Sequence, residues 1–302
     1  MMGMQKHVVL TGVTGLIGRH LLPLLQEHSY NVTALVRAGK EDTYLLPPSV
    51  RPVEADLRGD FTSVLRNIEP ADVVIHLAQH PGFHAFPDQA ANVFSVSLNA
   101  AIHLAEFAKY SGARFLYASS GGVCGPSPEP VREDYPLRPQ KELGFYLSTK
   151  MAAENLLGFF RQDMQVSILR FFFVYGPGQG NQFLFPRLIT SISEGKPITL
   201  ANGCGPRLNP IHASDAAKAV MAAVISMPEI LHIAGPEVKT LKSICEILGD
   251  LLKRSPVFID KPPPALDYIA DTALMERLCG QATGLRAGLT ALINNKSEKP
   301  PV

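Results

Sequence analysis

The stretch VVLTGVTGLIGRHLL, residues 8–22, ends a β-branched run on a glycine and passes almost at once into an apolar, helix-forming segment. In between stand Gly12, Gly15 and Gly18. Gly12 suits a tight turn, Gly15 lets the backbone approach a pyrophosphate, and Gly18 lets the helix pack closely on the strand. Free N–H groups at the helix N-terminus would hold the phosphates, aided by the helix dipole. Turns use glycine everywhere, so three glycines alone say little. Set between a first strand and a helix, they predict dinucleotide binding.

The rest of the first half repeats that alternation. Short apolar, β-branched runs at 7–11, 31–36, 72–77, 113–118 and 165–173 read as strands, with a further one at 50–53. Helix-like segments at 16–28, 89–111 and 143–161 lie between them. Strands apolar on both faces that alternate with helices predict an α/β fold, a doubly wound parallel sheet covered on both sides. Residues 1–175 are expected to form this Rossmann domain. Gly/Pro-rich breaks then separate apolar helical segments at 183–194, 214–226 and 240–253. Residues 176–302 are therefore expected to form a smaller C-terminal substrate lobe, with about 208–236 returning to the first domain. The tail NNKSEKPPV reads as disordered.

Composition narrows the partners. Of 302 residues 46% are hydrophobic and 18% charged, enough for a sizeable core. The net charge of +1, from 28 basic and 27 acidic residues, gives no reason to expect nucleic acid or an anionic membrane as partner. No run of 18 apolar residues suggests a membrane span, and the N-terminus lacks the apolar core of a signal peptide. Cys124, Cys204, Cys245 and Cys279 are widely spaced, which suggests neither a zinc site nor a disulfide framework. A cytoplasmic setting is expected. His76 reads as a core histidine, His80 and His84 as loop residues near a ligand site, and His212 as structural. His103 has no acidic cluster nearby, nor have the others, so no metal is expected.

Three side chains could carry chemistry. Tyr146 and Lys150 stand four apart in GFYLSTKMAAENLL, one turn apart on a helix face. A nearby ammonium, with an oxidised nicotinamide, favours the phenolate and lowers a phenol from its usual value near 10. Ser119 and Ser120 lie just past a buried-looking strand, where doubly wound sheets bind ligands. After the second strand, the place usual for a ribose-binding carboxylate holds Val36, followed by Arg37. An arginine can pair with a 2′-phosphate, which tilts the expected cofactor toward NADP while leaving NAD open.

TGVTGLIG, DVVIHLA, FLYASSGGVCG, YLSTK, LRFFFVYGPGQ and PIHASDAAKAV, in this order and spacing, closely resemble the extended short-chain dehydrogenase/reductases. Within these the chain resembles the NAD-dependent epimerase/dehydratase family, over about residues 6–290. The resemblance implies a catalytic set of Ser120, Tyr146 and Lys150. It implies cofactor contacts from Gly12, Thr14, Gly15, Leu16, Ile17 and Gly18, from Asp56 and Leu57 at the adenine, and from Leu77, Ala78 and Val174. It also implies a nucleotide-sugar substrate, near Ser120, Asn181 and Arg207. There are departures. Phe173 stands where many members have Asn, Leu208 stands in the register of the phosphate-gripping arginine with Arg207 one place earlier, and Cys124 replaces a tyrosine. Gly121 and Gly122 occupy the places of the Asp-Glu pair of 4,6-dehydratases, so dehydration is not expected. An epimerase and an NADPH-dependent reductase of a 4-keto sugar or another carbonyl both stay open, as does a dinucleotide-binding regulator without turnover. Apolar residues Phe94, Leu98, Ile102, Leu156, Phe159 and Phe160 on two helices suggest a homodimer joined by a four-helix bundle, as in related enzymes.

Overall fold

Successive side chains of a strand point to opposite faces, and in this protein both faces of the central strands are dry. The structure is a computed structural model that describes residues 6–39, 46–262 and 266–294; the tail 295–302 lies outside the described residues. Strand β1 (Lys6–Thr11) leads to α1 (Gly18–Glu27), β2 (Tyr30–Val36) and β3 (Val50–Glu54). A one-turn helix α2 (Thr62–Leu65) precedes β4 (Val73–His76), which is followed by α3 (Ala90–Phe94) and α4 (Ala100–Ser111). Then come β5 (Arg114–Ser120), α5 (Phe145–Phe159), β6 (Val166–Phe171) and the short β7 (Val174–Tyr175). The remainder runs α6 (Leu184–Ser193), β8 (Ile198–Ala201), β9 (Arg207–Leu208), β10 (Ile211–His212) and α7 (Ala213–Ser226). It closes with β11 (Ile230–Ile233), β12 (Lys239–Thr240), α8 (Leu241–Leu252), β13 (Phe258–Lys261), α9 (Ala273–Cys279) and α10 (Leu285–Asn294).

Seven strands join in the order β11-β6-β5-β4-β1-β2-β3, each pair parallel. Val8 and Leu10 of β1 enter the core beneath α1 and α7, while Val9 between them enters the core beneath α4 and α5. The same split holds for Val73 and Ile75 against Val74 in β4. This is the doubly wound sheet, and the order reverses between β1 and β4. A crevice opens at such a switch point, beyond the carboxyl ends of the strands. Strand β11 extends the sheet next to β6, so Ile230–Ile233 lie in the sheet. A third core holds α6, α8 and α10 together through Phe185, Ile189, Leu248 and Leu289.

Two local features depart from the sequence reading. The helix expected over 89–111 is interrupted by a π-helical segment, Ser95–Asn99. Tyr117 donates from its hydroxyl to the Ser97 carbonyl at 2.6 Å, and His76 donates from Nε2 to the Val96 carbonyl at 2.9 Å. Side chains from the sheet thus take carbonyls of the helical ladder, a recognised cause of helix distortion. The strand expected to reach residue 173 ends at Phe171. Phe173 has φ of +47°, a left-handed conformation costly for a bulky side chain, and the chain resumes as β7 beside β10.

Candidate active site

The glycine turn is built as its spacing demands. Gly12 has φ of +75°, and a Cβ there would lie 2.8 Å from the Ala78 nitrogen. A Cβ on Gly18 would lie 2.1 Å from the Gly12 carbonyl oxygen and 2.7 Å from Val13 Cα. A Cβ on Gly15 would meet only the Gly12 oxygen within contact distance, at 3.0 Å. So Gly12 and Gly18 are pressed by backbone, whereas Gly15 is open on its outer side. The first helical bonds run from Arg19 N–H to Gly15 O and from Leu21 N–H to Ile17 O, leaving the amides of the turn ahead of them unused by the helix.

The end of β4 is locked to this turn. Ala78 donates its N–H to Thr11 Oγ1 at 3.1 Å, and Thr11 donates its hydroxyl to His76 Nδ1 at 2.7 Å. With Nε2–H on Val96, the His76 ring is neutral and fully partnered, and burial, aided by the charge of Lys150, pulls it down to about 3. His76 is a core residue, as its apolar strand suggests.

A cleft of about 1190 Å³ opens from the turn. Gly12, Thr14, Gly15, Leu16, Ile17, Gly18, Arg37, Asp56, Leu57, Leu77, Ala78 and Val174 all line it, as do Ser120 and Tyr146. These are cofactor residues expected from the sequence, now side by side; Lys150, also expected to reach the nicotinamide ribose, is buried against the Ala118 carbonyl and does not line the cleft. A glycine-lined turn, its Gly15 N–H taken by the Gly12 carbonyl at 3.0 Å and its other amides unused by the helix, fits a dinucleotide pyrophosphate. At the far end of that wall Arg58 holds Asp56 through bonds of 2.6–3.1 Å, which pulls the Asp56 carboxyl down to about 2.

Tyr146 is the second residue of α5, whose chain enters through an extended Gly144. Its hydroxyl donates to Gln79 Oε1 at 2.9 Å, and the Phe83 ring lies 4.9 Å from its own. Lys150, one turn on, is buried behind it. Its Nζ donates to the Ala118 carbonyl at 2.7 Å, 4.7 Å from the Tyr117 ring centre and 5.8 Å from that of Tyr146. Burial pulls Lys150 down to about 7 against the opposing charge of Glu154, and burial pushes the Tyr146 phenol up. In the protein alone, therefore, burial outweighs the lowering of Tyr146 that the Tyr/Lys spacing suggested.

The two serines separate cleanly. Ser119 is buried and donates to Glu154, which pairs with the buried Arg170 at 2.8 Å. Ser120 accepts the Gly122 N–H at 3.2 Å and caps the short helical turn Gly121–Cys124 at the cleft. Ser119 serves the core, and Ser120 faces the ligand space.

Two sequence-derived substrate residues do not come to the cleft. Arg207 donates from Nε to Asp267 at 2.9 Å and from Nη2 to the Pro128 carbonyl at 2.6 Å, and neither it nor Asn181 lines the cavity. The cleft wall instead carries Gln79, Phe83, His84, Phe183 and Arg187. Gln79 lies three residues past the end of β4, so the carboxyl-end rule could have found it. Phe83 lies on a loop, and Phe183 and Arg187 stand at the head of α6, whose placement no local pattern announces. His212 caps α7 by accepting the Ser214 N–H at 3.3 Å. Among the described residues no group of three His, Cys, Asp or Glu side chains could hold a metal ion, and no helix is long and apolar enough to cross a membrane.

Known proteins resemble this chain along nearly its whole length. A Bacillus subtilis (strain 168) protein described as the uncharacterized UDP-glucose epimerase YtcB is 28% identical, covering 94% of this chain and 95% of its own. A Streptomyces 3-diazoavenalumate denitrifying reductase is 30% identical over 76% of each chain. Among solved structures, that of MoeE5 in complex with UDP-glucose and NAD is 27% identical, superposes with a TM-score of 0.82, and covers 97% of this chain and 99% of its own. The model of the NAD dependent epimerase/dehydratase family matches residues 8–234, a span that runs from β1 through the glycine turn and α5 to the last strand of the sheet: the chain belongs to that family.

Proposed function

We propose that the protein is an NAD(P)-dependent epimerase of a nucleotide-activated sugar. One observation carries the reading: Tyr146, with Lys150 one turn behind it, and Ser120 line the same cleft as the glycine turn. A bound dinucleotide supplies the hydride acceptor and donor. The chain supplies the rest. Ser120 Oγ orients the reacting hydroxyl of the sugar, and Tyr146 takes its proton and later returns it. Lys150 offsets the burial that favours the neutral phenol, because its ammonium stabilises the phenolate. The names of YtcB and of the MoeE5 complex support a UDP-sugar as substrate.

A second reading, an NADP-dependent reductase, is favoured by Arg37. This guanidinium lines the cleft where a ribose carboxylate would stand, and it suits a 2′-phosphate. The same residue supports binding of NADP at least as tightly as NAD. We divide the chain into a sheet domain, 1–175 with 208–236, and a substrate lobe from the remainder of 176–302. The homodimer reading rests on exposed Phe94, Leu156 and Phe159. A cytoplasmic setting is supported by four unpaired cysteines, Cys124 and Cys245 being buried thiols.

The deciding experiment incubates the protein with UDP-, dTDP- and GDP-sugars, following absorbance at 340 nm and the sugar products. New epimer without net cofactor change is the expected result. Stoichiometric loss of NADPH would replace it with the reductase reading, and no reaction with any sugar would overturn both.

A further inference from the structure

A nucleotide sugar carries a diphosphate, and a doubly charged group entering a cleft needs cations or amides in place of water. The family's phosphate-gripping place is held by Leu208, and the neighbouring candidate, Arg207, is committed elsewhere by the fold. Its guanidinium is bonded to Asp267 and to the Pro128 carbonyl, outside the cavity. The cleft itself holds Arg19, Arg37, Arg58 and Arg187. Arg37 and Arg58 stand at the adenine end, Arg58 against Asp56. Arg19 lies over the glycine turn, bonded to the Thr14 carbonyl at 3.4 Å. Arg187 stands on the other side. It is exposed in the cleft wall, and among the described residues its side chain makes no hydrogen bond or ion pair.

Its position suits the task. Phe83 lies 4.9 Å from the Tyr146 ring and 6.0 Å from the Phe183 ring, between centroids. Arg187 follows Phe183 by one helical turn at the head of α6, so it shares a helix face with one member of that aromatic wall. The closeness of the wall to it is felt at His84, held down first by burial and then by the charge of Arg187. Among the described residues Asp56, held by Arg58, is the one acid of the cavity wall.

Resting on the nucleotide-sugar reading above, we infer that Arg187, and not Arg207, is the side chain that grips the substrate diphosphate. A guanidinium fork offers paired N–H donors to phosphate oxygens. Phe183 and Phe83 hold the sugar between that anchor and Tyr146. Specificity for a diphosphate over a neutral leaving group then resides in α6, a lobe helix.

Calorimetric titration of the NAD-loaded protein with UDP, dTDP and GDP, and with the corresponding nucleosides, tests this. The wild type is expected to bind at least one diphosphate and to bind its nucleoside much more weakly. For that diphosphate, Arg187→Ala is expected to weaken binding about tenfold to a hundredfold, the range for a lost hydrogen bond to a charged group. Arg187→Lys should recover part of the loss, NAD affinity should be unchanged in both, and Arg207→Ala should weaken the diphosphate far less than Arg187→Ala. If Arg187→Ala bound it as the wild type does, or if Arg207→Ala gave the larger loss, the inference would fall and the nucleotide-sugar reading would stand. If the wild type bound no diphosphate at all, both would fall.

Discussion

At the scale of residues, burial and charge oppose each other in the Tyr146–Lys150 pair. The ammonium that should favour the phenolate is itself buried, and its carbonyl partner, Ala118, orients it without neutralising any charge. Glu154, a further turn along α5, helps keep it protonated. Tyr146→Phe removes one hydroxyl at the cleft and one bond, that to Gln79, and leaves the core alone. Turnover is therefore expected to fall about 10²–10⁴-fold, the usual range for lost acid–base catalysis, with NAD affinity retained. Steady-state rates and a dinucleotide titration on the same preparation check it, and full activity in Tyr146→Phe would remove the phenol from the mechanism.

At the scale of elements, the glycine turn separates two roles that its spacing alone runs together. Gly18→Ala forces a methyl into Gly12 and Val13 backbone, so α1 must shift; a cost of about 1–3 kcal/mol is expected, as for overpacked sites. Gly15→Ala needs only a small adjustment at the Gly12 carbonyl, so its melting temperature should stay near wild type while dinucleotide affinity drops. Thermal melts with NAD titrations distinguish the two, and equal melting temperatures would contradict the packing argument. The turn and the alternating strands were legible because both are local: one needs three glycines in order, the other a two-residue period with both phases apolar, as Val8, Val9 and Leu10 display. The π-helical break was not, since its cause lies in Tyr117 and His76, on other strands. Nor was the fate of Arg207, decided by Asp267, sixty positions away in the chain. Ser120 could be preferred to Ser119 only through the family resemblance; in the structure Glu154 claims Ser119.

At the scale of the molecule, α5 packs beside α3 and α4 and leaves an apolar outer face. Leu98, Ile102 and Phe160 turn out to lean on the domain's own core, whereas Phe159 is 70% exposed, Phe94 45% and Leu156 43%. Exposed large apolar side chains on these helices suit a partner surface, and a second copy is the proposal above. Phe159→Glu places a charge in the middle of it, and light scattering at micromolar concentration is expected to read a dimer for the wild type and a monomer for the variant. A monomeric wild type would count against the bundle. The return of β11 to the sheet has a consequence for biosynthesis. When β6 has left the ribosome its outer edge still lacks Ile230–Ile233, which lie about 60 residues further along. At roughly 5–20 residues per second that is an interval of about 3–12 s, during which a mostly apolar strand, VSILRF, offers unpaired amides and carbonyls to any neighbour. Nascent chains are thus most exposed to mispairing while the lobe, not the sheet, is being made.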